Sequence, residues 1–306
     1  MKKIEIYKNA SLKKFCTFNI GGNANFLFKV HTNNAIKKVV KNCCMRNFKH
    51  KVVGCGANLL FDDLGYNGAI VVNCAKKCKI KGENIVANAG IKMAELIDIS
   101  KKHNLTGLEA FAGIPSTLGG AVFNNLSAWG HELASLVVWV KGFYVPSKKA
   151  DIISYKVSKN TNIKHFKTYT LSNDKCKFKY RGSVFNNGNF IITQIKLKLK
   201  NSNKTEIEQN IKTALTKKQT AQPLGYPNAG SVFKRTNILP AKLIDEAGLK
   251  GTTIGGAQVS TQHAGFIVNI GNATSKDVKA LIAKIEEIIY AKYSATLERE
   301  IEYVDY

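Results

Sequence analysis

The segment Pro227–Arg235, Pro-Asn-Ala-Gly-Ser-Val-Phe-Lys-Arg, sets a serine between a small-residue bend and two cations. Asn-Ala-Gly bends tightly, because Gly230 can take a positive φ without a Cβ penalty. Ser231 then lies at the exit of a turn, where its hydroxyl can face a cleft. Lys234 and Arg235 put positive charge beside it, which suits an anionic substrate. A Gly-Ser pair alone is an ordinary turn, so its chemistry depends on what else the chain supplies.

Two glycine-rich turns come earlier, Gly54-x-Gly56-x-Asn58 and Gly113-Ile-Pro-Ser-Thr-Leu-Gly119-Gly120. Turns of this kind expose backbone N–H groups in a concave array that accepts phosphate, since no Cβ blocks the approach. Neither matches the phosphate-loop or Rossmann spacing. Two of them after strand-like runs point to a ligand with two phosphates, a dinucleotide. Tyr180-Arg181 follows a basic stretch, and an arginine can fork onto a carboxylate. Leu297-Glu-Arg-Glu-Ile301 offers two acids; in a strand Glu298 and Glu300 face one way and Arg299 the other. His263 suits either a ligand contact or a satisfied core histidine, and His131 reads as a turn residue.

The elements that must position these groups alternate between helix and strand. Ile4–Tyr7 and the run from Gly21-Gly22 to Val30 read as strands. Thr32 or Asn33 caps a helix to about Asn47, with Ile36, Val39 and Val40 on one side. Strands follow at Lys51–Val53 and Ala69–Asn73, with Leu59–Phe61 and a turn at Asp62–Gly68 between them. Ile85–Ala89 is a strand and Met93–His103 a helix. Leu136–Val145 is extended. Phe190–Lys200 alternates Ile195, Leu197 and Leu199 with lysines, the pattern of a half-buried antiparallel strand. Thr205–Lys218 reads as a helix whose apolar face carries Ile207, Ile211 and Leu215. Pro240 starts a short helix that Gly248 ends. Thr274 or Ser275 caps the longest helix, to about Tyr293. Leu297–Tyr303 closes the chain as a strand. The class is α+β, with boundaries near Ala75 and Lys204.

At 306 residues and 44% apolar content the chain can bury a real core over two or three domains. No apolar run approaches membrane-spanning length, and Met1-Lys2-Lys3 leads into no apolar core, so a cytoplasmic protein without a signal peptide is expected. Seven cysteines, an odd number, fit a reducing compartment. Cys74 and Cys78 lack the partners of a zinc set, and no metal is expected. The net charge of +25 is spread as single and paired lysines, which reads as solvated faces and not as a nucleic-acid stripe.

Together these segments resemble one family closely, the UDP-N-acetylenolpyruvoylglucosamine reductases (UDP-N-acetylmuramate dehydrogenases). The resemblance rests on Thr17–Gly22, Gly54–Leu60, Gly113–Ala121, Tyr180–Phe185, Gln222–Arg235, Ala247–Gly251, Gly255–Ser260, His263–Asn269 and Leu297–Ile301, in that order. It implies a two-part FAD-binding region of the vanillyl-alcohol-oxidase/PCMH type, residues 1–75 and 76–203, and a substrate domain, 204–306. The last strand is a candidate to return to the first part. The chain lacks the tyrosine-bearing insertion of the longer subclass. By resemblance, NADPH reduces FAD, and UDP-N-acetylglucosamine enolpyruvate then takes the hydride. Ser231 is implied as proton donor, with Arg181 and Glu300 stabilising the enolate-like carboxylate. Gly54, Cys55, Gly56, Ala57, Asn58, Leu59, Gly113, Ile114, Pro115, Thr117, Gly119, Gly120, Asn124 and Asn125 are implied at the cofactor. Tyr180, Lys218, Asn228, Arg235 and His263 are implied at the substrate. A monomer that binds neither nucleic acid nor membrane goes with this reading.

The chain departs from the family pattern in places. Ala221 stands where a lysine usually precedes Gln-Pro, with Lys217 and Lys218 as candidate substitutes from the preceding helix. Leu126 and Trp129 replace smaller or tyrosine residues, and Thr236 a proline. The rivals are another FAD-linked oxidase on the same fold, which needs no Ser231, Arg181 and Glu300 set, and a basic nucleic-acid-binding protein, which gives the glycine turns no purpose.

Overall fold

The lysine-alternating stretch around Ile195 becomes the middle strand of a five-stranded sheet, and its apolar residues set where the first core lies. A computed structural model describes residues 3–146 and 165–306. In chain order its main elements are β1 (Ile4–Ser11), β2 (Asn23–Val30), α1 (Asn33–Met45), β3 (His50–Val53), β4 (Leu59–Phe61), β5 (Tyr66–Asn73), β6 (Cys78–Lys81), β7 (Asn84–Asn88), α2 (Met93–Lys102), α3 (Leu118–Phe123) and β8 (Val137–Tyr144). Then come β9 (Thr168–Ser172), β10 (Phe190–Lys198), α4 (Lys204–Ala221), β11 (Asn228–Ser231), α5 (Pro240–Glu246), β12 (Thr253–Ile254), β13 (Ala257–Val259), β14 (Phe266–Asn269), α6 (Ser275–Tyr293) and β15 (Glu302–Val304). The class is α+β.

The chain falls into two compact units. One comprises Met1–Tyr7, Phe26–Gly54 and Gly68–Leu215; the other comprises Lys8–Asn25, Cys55–Asn67 and Thr216–Tyr306. In the first, the antiparallel sheet runs β9-β8-β10-β7-β6. Ile85, Ala87, Val140, Ile195 and Leu197 form a core with Met93, Leu96 and Ile97 of α2 and Leu118 and Val122 of α3. The lysines of β10 take the other side, as period-two alternation requires. A second core joins Ile36, Val39 and Val40 of α1 to Val30, Ala69 and Val71. Thr32 caps α1 by accepting the Ala35 N–H at 3.1 Å. Strands β3 and β5 pair in parallel, Val53 opposite Val72, in a sheet of order β1-β2-β5-β3.

The second unit is built on the sheet β11-β14-β13-β12 and the helix α6. A capping box starts α6: the Asp277 N–H donates to the Thr274 hydroxyl at 3.0 Å, and the Thr274 N–H to the Asp277 carboxylate at 2.9 Å. Asp63 adds to this by accepting from the Ser275 N–H and hydroxyl, each at 2.8 Å. The helix buries Val278, Leu281, Ile282, Ile285 and Ile289, each worth about 1.5–3 kcal/mol when fully removed from water. Strand β15 lies parallel to β4, Glu302–Val304 beside Leu59–Phe61.

Three sequence expectations are corrected here. Leu215 is 44% exposed, whereas Ile207, Ala214 and Lys218 are buried on α4. Steps of four advance 400° around a 3.6-residue helix, so a row spaced by fours drifts off the buried stripe, and position 214 replaces 215. Leu297–Tyr303 is not one strand: only Glu302–Val304 joins a ladder, and Arg299 makes an isolated bridge to Phe233. Asp62–Gly68 is not all turn, because β5 already starts at Tyr66.

The exposure difference on α4 is testable by chemical denaturation. Ile207→Ala should cost about 2–5 kcal/mol, and Leu215→Lys should stay within about 0.5 kcal/mol of wild type. Equal losses would contradict the assignment of faces.

Candidate active site

In the first unit, Gly54 follows β3 at a close backbone approach. A Cβ there would overlap the Thr117 hydroxyl and lie 3.2 Å from the Thr117 methyl. Thr117 caps α3, accepting the Gly120 N–H at 3.3 Å. The Leu118 N–H goes to the Ile91 carbonyl at 2.9 Å and the Gly119 N–H to Ala89 at 2.8 Å. The leading amides of α3 are thus spent on the protein's own acceptors. This corrects the idea of an open amide array at residues 118–120: they fix the turn, and a phosphate there must be met by other groups. Gly113 has φ +74°, and Gly113, Pro115 and Gly120 are exposed. Ser116, inside this turn, buries a hydroxyl oxygen that has no hydrogen-bond partner within the protein.

Asn124 and Asn125 follow α3. The Asn186 amide donates to the Asn124 side-chain oxygen at 3.2 Å. Asn125 is buried with φ +43°. Tyr180 and Arg181 form a two-residue reversal, across which Lys179 and Gly182 exchange N–H···O=C bonds, both 3.0 Å. Arg181 has φ +49°. Its guanidinium lies 5.8 Å from the centroid of the exposed Tyr180 ring.

The second unit holds Cys55–Leu59. Gly56 has φ +65°, and a Cβ on it would overlap the Phe15 carbonyl. The Asn58 amide donates to the Glu300 carbonyl at 3.0 Å, and the Glu302 N–H to the Asn58 carbonyl at 2.9 Å. Thr17, in the Thr-Phe-Asn-Ile-Gly-Gly stretch, buries a hydroxyl that, like that of Ser116, has no protein partner. Sequence reasoning passed over both hydroxyls, although both lie inside motifs it quoted; their burial was the missing signal.

Ser231 ends a strand, which corrects its placement at the exit of a turn. The reversal lies upstream, at 223–226. Asn228 opposes Val268 and Ser231 opposes Phe266, so three steps on β11 face two on β14. This is a bulge, and Gly230 supplies its left-handed residue at φ +79°. Asn228 holds both features. Its amide donates to the Pro223 and Tyr226 carbonyls at 3.2 and 2.8 Å, and its oxygen accepts the Gly230 N–H at 3.0 Å. Beyond the bulge, the Glu300 N–H reaches the Val232 carbonyl and the Lys234 N–H the Glu298 carbonyl, each at 2.7 Å. Ser231 and Glu300 therefore lie on neighbouring extended segments. Glu298 pairs with Lys234 at 2.5 Å.

Of the other predicted residues in this unit, Arg235 is exposed and Lys217 is exposed, while Lys218 is buried on α4. Burial pulls the Lys218 ammonium below its usual pKa. His263 is half-buried. Its Nδ1 accepts the Gly265 N–H at 3.0 Å, and its ring edge meets Phe266 at 4.9 Å between centroids. Burial also lowers its pKa below the ordinary imidazole value. The fold thus satisfies Nδ1, and the residue lines a groove with Lys242, Asp245 and Lys250. Among the described residues no group of three His, Cys, Asp or Glu is placed to hold a metal, and no helix is long and apolar enough to cross a membrane. None of the seven cysteines forms a disulfide.

The profile of the UDP-N-acetylenolpyruvoylglucosamine reductase C-terminal domain matches residues 222–304, and that of an FAD binding domain matches residues 24–152. The UDP-N-acetylenolpyruvoylglucosamine reductase of Caldanaerobacter subterraneus subsp. tengcongensis is 33% identical over 306 residues, covering 99% of this chain and 95% of that protein. That of Clostridioides difficile is 33% identical over 304 residues, covering 98% and 94%. The crystal structure of UDP-N-acetylenolpyruvylglucosamine reductase from Thermus caldophilus has a TM-score of 0.79 to this chain, at 28% identity and 99% coverage of both.

The His263 environment gives a pH dependence. A depressed imidazole pKa means that the fold favours the neutral ring, so this contribution is whole above the ordinary value and is lost as pH falls through the folded one. His50 has the same sign from burial. The melting temperature should fall between pH 7.5 and 5.5, and His263→Asn, which can still accept the Gly265 N–H, should flatten that slope. An unchanged slope would show that His263 does not carry it.

Proposed function

Because the chain belongs to the UDP-N-acetylenolpyruvoylglucosamine reductase family, we propose that it reduces UDP-N-acetylglucosamine enolpyruvate to UDP-N-acetylmuramate with NADPH and bound FAD. The observation that carries this reading is the bulged strand that brings Ser231 beside the Glu300 segment, inside the stretch matched by the family's C-terminal domain.

FAD, when bound, supplies the two-electron carrier between NADPH and the enolpyruvyl group. Residues 1–75 and 76–203 would hold it, through the turns Gly54–Leu59 and Gly113–Gly120 with Asn124. The two orphaned buried hydroxyls, Thr17 and Ser116, support the fit, because a buried polar oxygen without a partner is costly unless a bound group satisfies it. Residues 204–306 would take the sugar nucleotide, with Lys218, Arg235 and His263 as contacts and Tyr180 and Arg181 contributed from the earlier segment.

Hydride arrival at the vinyl carbon leaves a carbanion alpha to the carboxylate. Its charge spreads into that carboxylate, and a proton must be delivered to the alpha carbon. Ser231 gives its hydroxyl proton there; a serine does so only when the developing charge is lowered and the hydroxyl is oriented. Arg181 forks onto the carboxylate and lowers that charge. Glu300 assists only in its acid form, donating an O–H, because a second anion would oppose the step. With this reading goes a role in peptidoglycan precursor synthesis, and so in cell shape and division, and a cytoplasmic monomer is proposed alongside it.

The purified protein should be yellow and should turn over NADPH, beyond the equivalent that reduces its own flavin, only when the enolpyruvyl sugar nucleotide is present. Ser231→Ala should leave flavin reduction by NADPH unchanged in stopped flow and slow reoxidation by substrate about 10²–10⁴-fold, the usual contribution of a positioned acid. Equal loss in both half-reactions would remove Ser231 from the proton-transfer role, and a protein that cannot be reconstituted with FAD would refute the reading itself.

A further inference from the structure

Arg181 bears a long side chain at a left-handed φ, a backbone state that costs such a residue of order 1–3 kcal/mol and persists only where the surroundings impose it. The surroundings that impose it lie in residues 123–125. The Asn125 amide, 1% exposed, donates to the Lys179 carbonyl at 3.1 Å, and Lys179 is the residue that closes the reversal against Gly182. The same amide nitrogen donates to the Glu132 carboxylate at 3.1 Å, and the amide oxygen accepts the Ala134 N–H at 3.0 Å. Two further ties flank it. The Ser183 hydroxyl donates to the Phe123 carbonyl at 2.6 Å, and the Asn186 amide donates to Asn124 at 3.2 Å.

Both amide protons of Asn125 and one of its two acceptor positions are therefore spent inside the protein. We propose that Asn125 is a positioning residue for Arg181: it contacts no cofactor atom through its side chain and fixes the reversal from which the guanidinium meets the substrate carboxylate. This departs from the cofactor role that the family resemblance implies for Asn125, and it rests on the substrate role proposed above for Arg181. The short segment after α3 thereby serves two ends, closing the glycine turn's helix and setting the arginine about 55 positions later in the chain, at 181.

Asn125→Asp tests it with little change of shape. The substitution replaces the donating nitrogen with oxygen, so a carboxylate faces the Lys179 carbonyl and the Glu132 carboxylate. The expected result has four parts. FAD affinity and NADPH-dependent flavin reduction stay within about threefold of wild type, since no cofactor contact is lost. Reoxidation by the enolpyruvyl sugar nucleotide slows about 10- to 100-fold with apparent KM within about threefold, as when one transition-state donor is misplaced. Hydrogen exchange at the Gly182 amide, whose acceptor is the Lys179 carbonyl, accelerates. Lowering the pH restores part of the reoxidation rate in the variant alone, because the protonated carboxyl can again donate to Lys179.

The double change Asn125→Asp with Glu132→Gln provides the fold control. The new amide donates to the aspartate, which restores the melting temperature, while the Lys179 carbonyl still faces an oxygen and reoxidation stays slow. Weakened FAD binding with equal loss in both half-reactions would overturn the proposal in favour of a cofactor contact. Unchanged reoxidation, or full recovery in the double variant, would overturn it as well. If wild type itself fails to turn over the enolpyruvyl substrate, the functional reading fails, and the Gly182 exchange rate still decides whether Asn125 holds the reversal.

Discussion

The groups best suited to chemistry in this protein sit on backbone that is neither helix nor regular ladder, and such backbone must find partners for its N–H and C=O groups elsewhere. Asparagine side chains supply them repeatedly. Asn228 closes the 223–226 reversal and the Gly230 bulge, Asn125 holds the Lys179 carbonyl, and Asn58 holds the Glu300 carbonyl. Asn269 donates to the Phe18 carbonyl at 3.0 Å and accepts from Gly271 and Ala273. An amide carries donor and acceptor on one short stem, so it can stand in for a missing stretch of ladder. Where the carbonyl is buried, as at Phe18, removing the amide takes away that partner, which costs more than the bond contributed.

The same principle explains how glycine is used. Gly54 is required by a neighbour, since Thr117 occupies the space of a Cβ, whereas Gly230 is required by its φ and has no atom within 4 Å of where a Cβ would stand. Arg181 adopts a comparable φ without being glycine, and the cost is carried by the ties around it. A serine that must stand at one point can rest on a glycine bulge. An arginine that must itself occupy the strained position cannot be replaced by glycine, so the restraint has to come from outside the reversal.

Periodicity made the helices and ladder strands legible. Thr32 and Thr274 cap where their side chains predicted, and Pro240 and Gly248 bracket α5. The apolar alternation at Ile195 and Leu197 marks the buried side of the central strand, and Leu199, just past its end at Lys198, is buried as well. Periodicity did not reveal the departures from regular structure. A bulge at Asn228–Ser231 reads in sequence as a turn, because Asn-Ala-Gly serves both and only the cross-strand register separates them. The amides of 118 and 119 read as phosphate donors, because their acceptors, Ile91 and Ala89, lie in a stretch with no sequence mark for that role. At the site, residue types were readable and their employment was not. Asn125 and Asn228 looked like ligand contacts, and the side-chain bonds they make are to backbone and to Glu132.

The two glutamates near the end are held in different ways. Strand alternation puts Glu298 and Glu300 on one side and cannot choose between them. Glu298 is drawn into an ion pair with Lys234, on the segment that leaves the bulge. Half of that pair is solvated, so it contributes little to stability, yet it uses the cation that composition placed nearest to Ser231. Glu300 is fixed through its backbone, its N–H on Val232 and its carbonyl under Asn58. Those two bonds fix the backbone of residue 300 from both sides. Lys234 is thus engaged by Glu298, while the next residue, Arg235, is exposed, and the net charge of +25 acts as a background field around both.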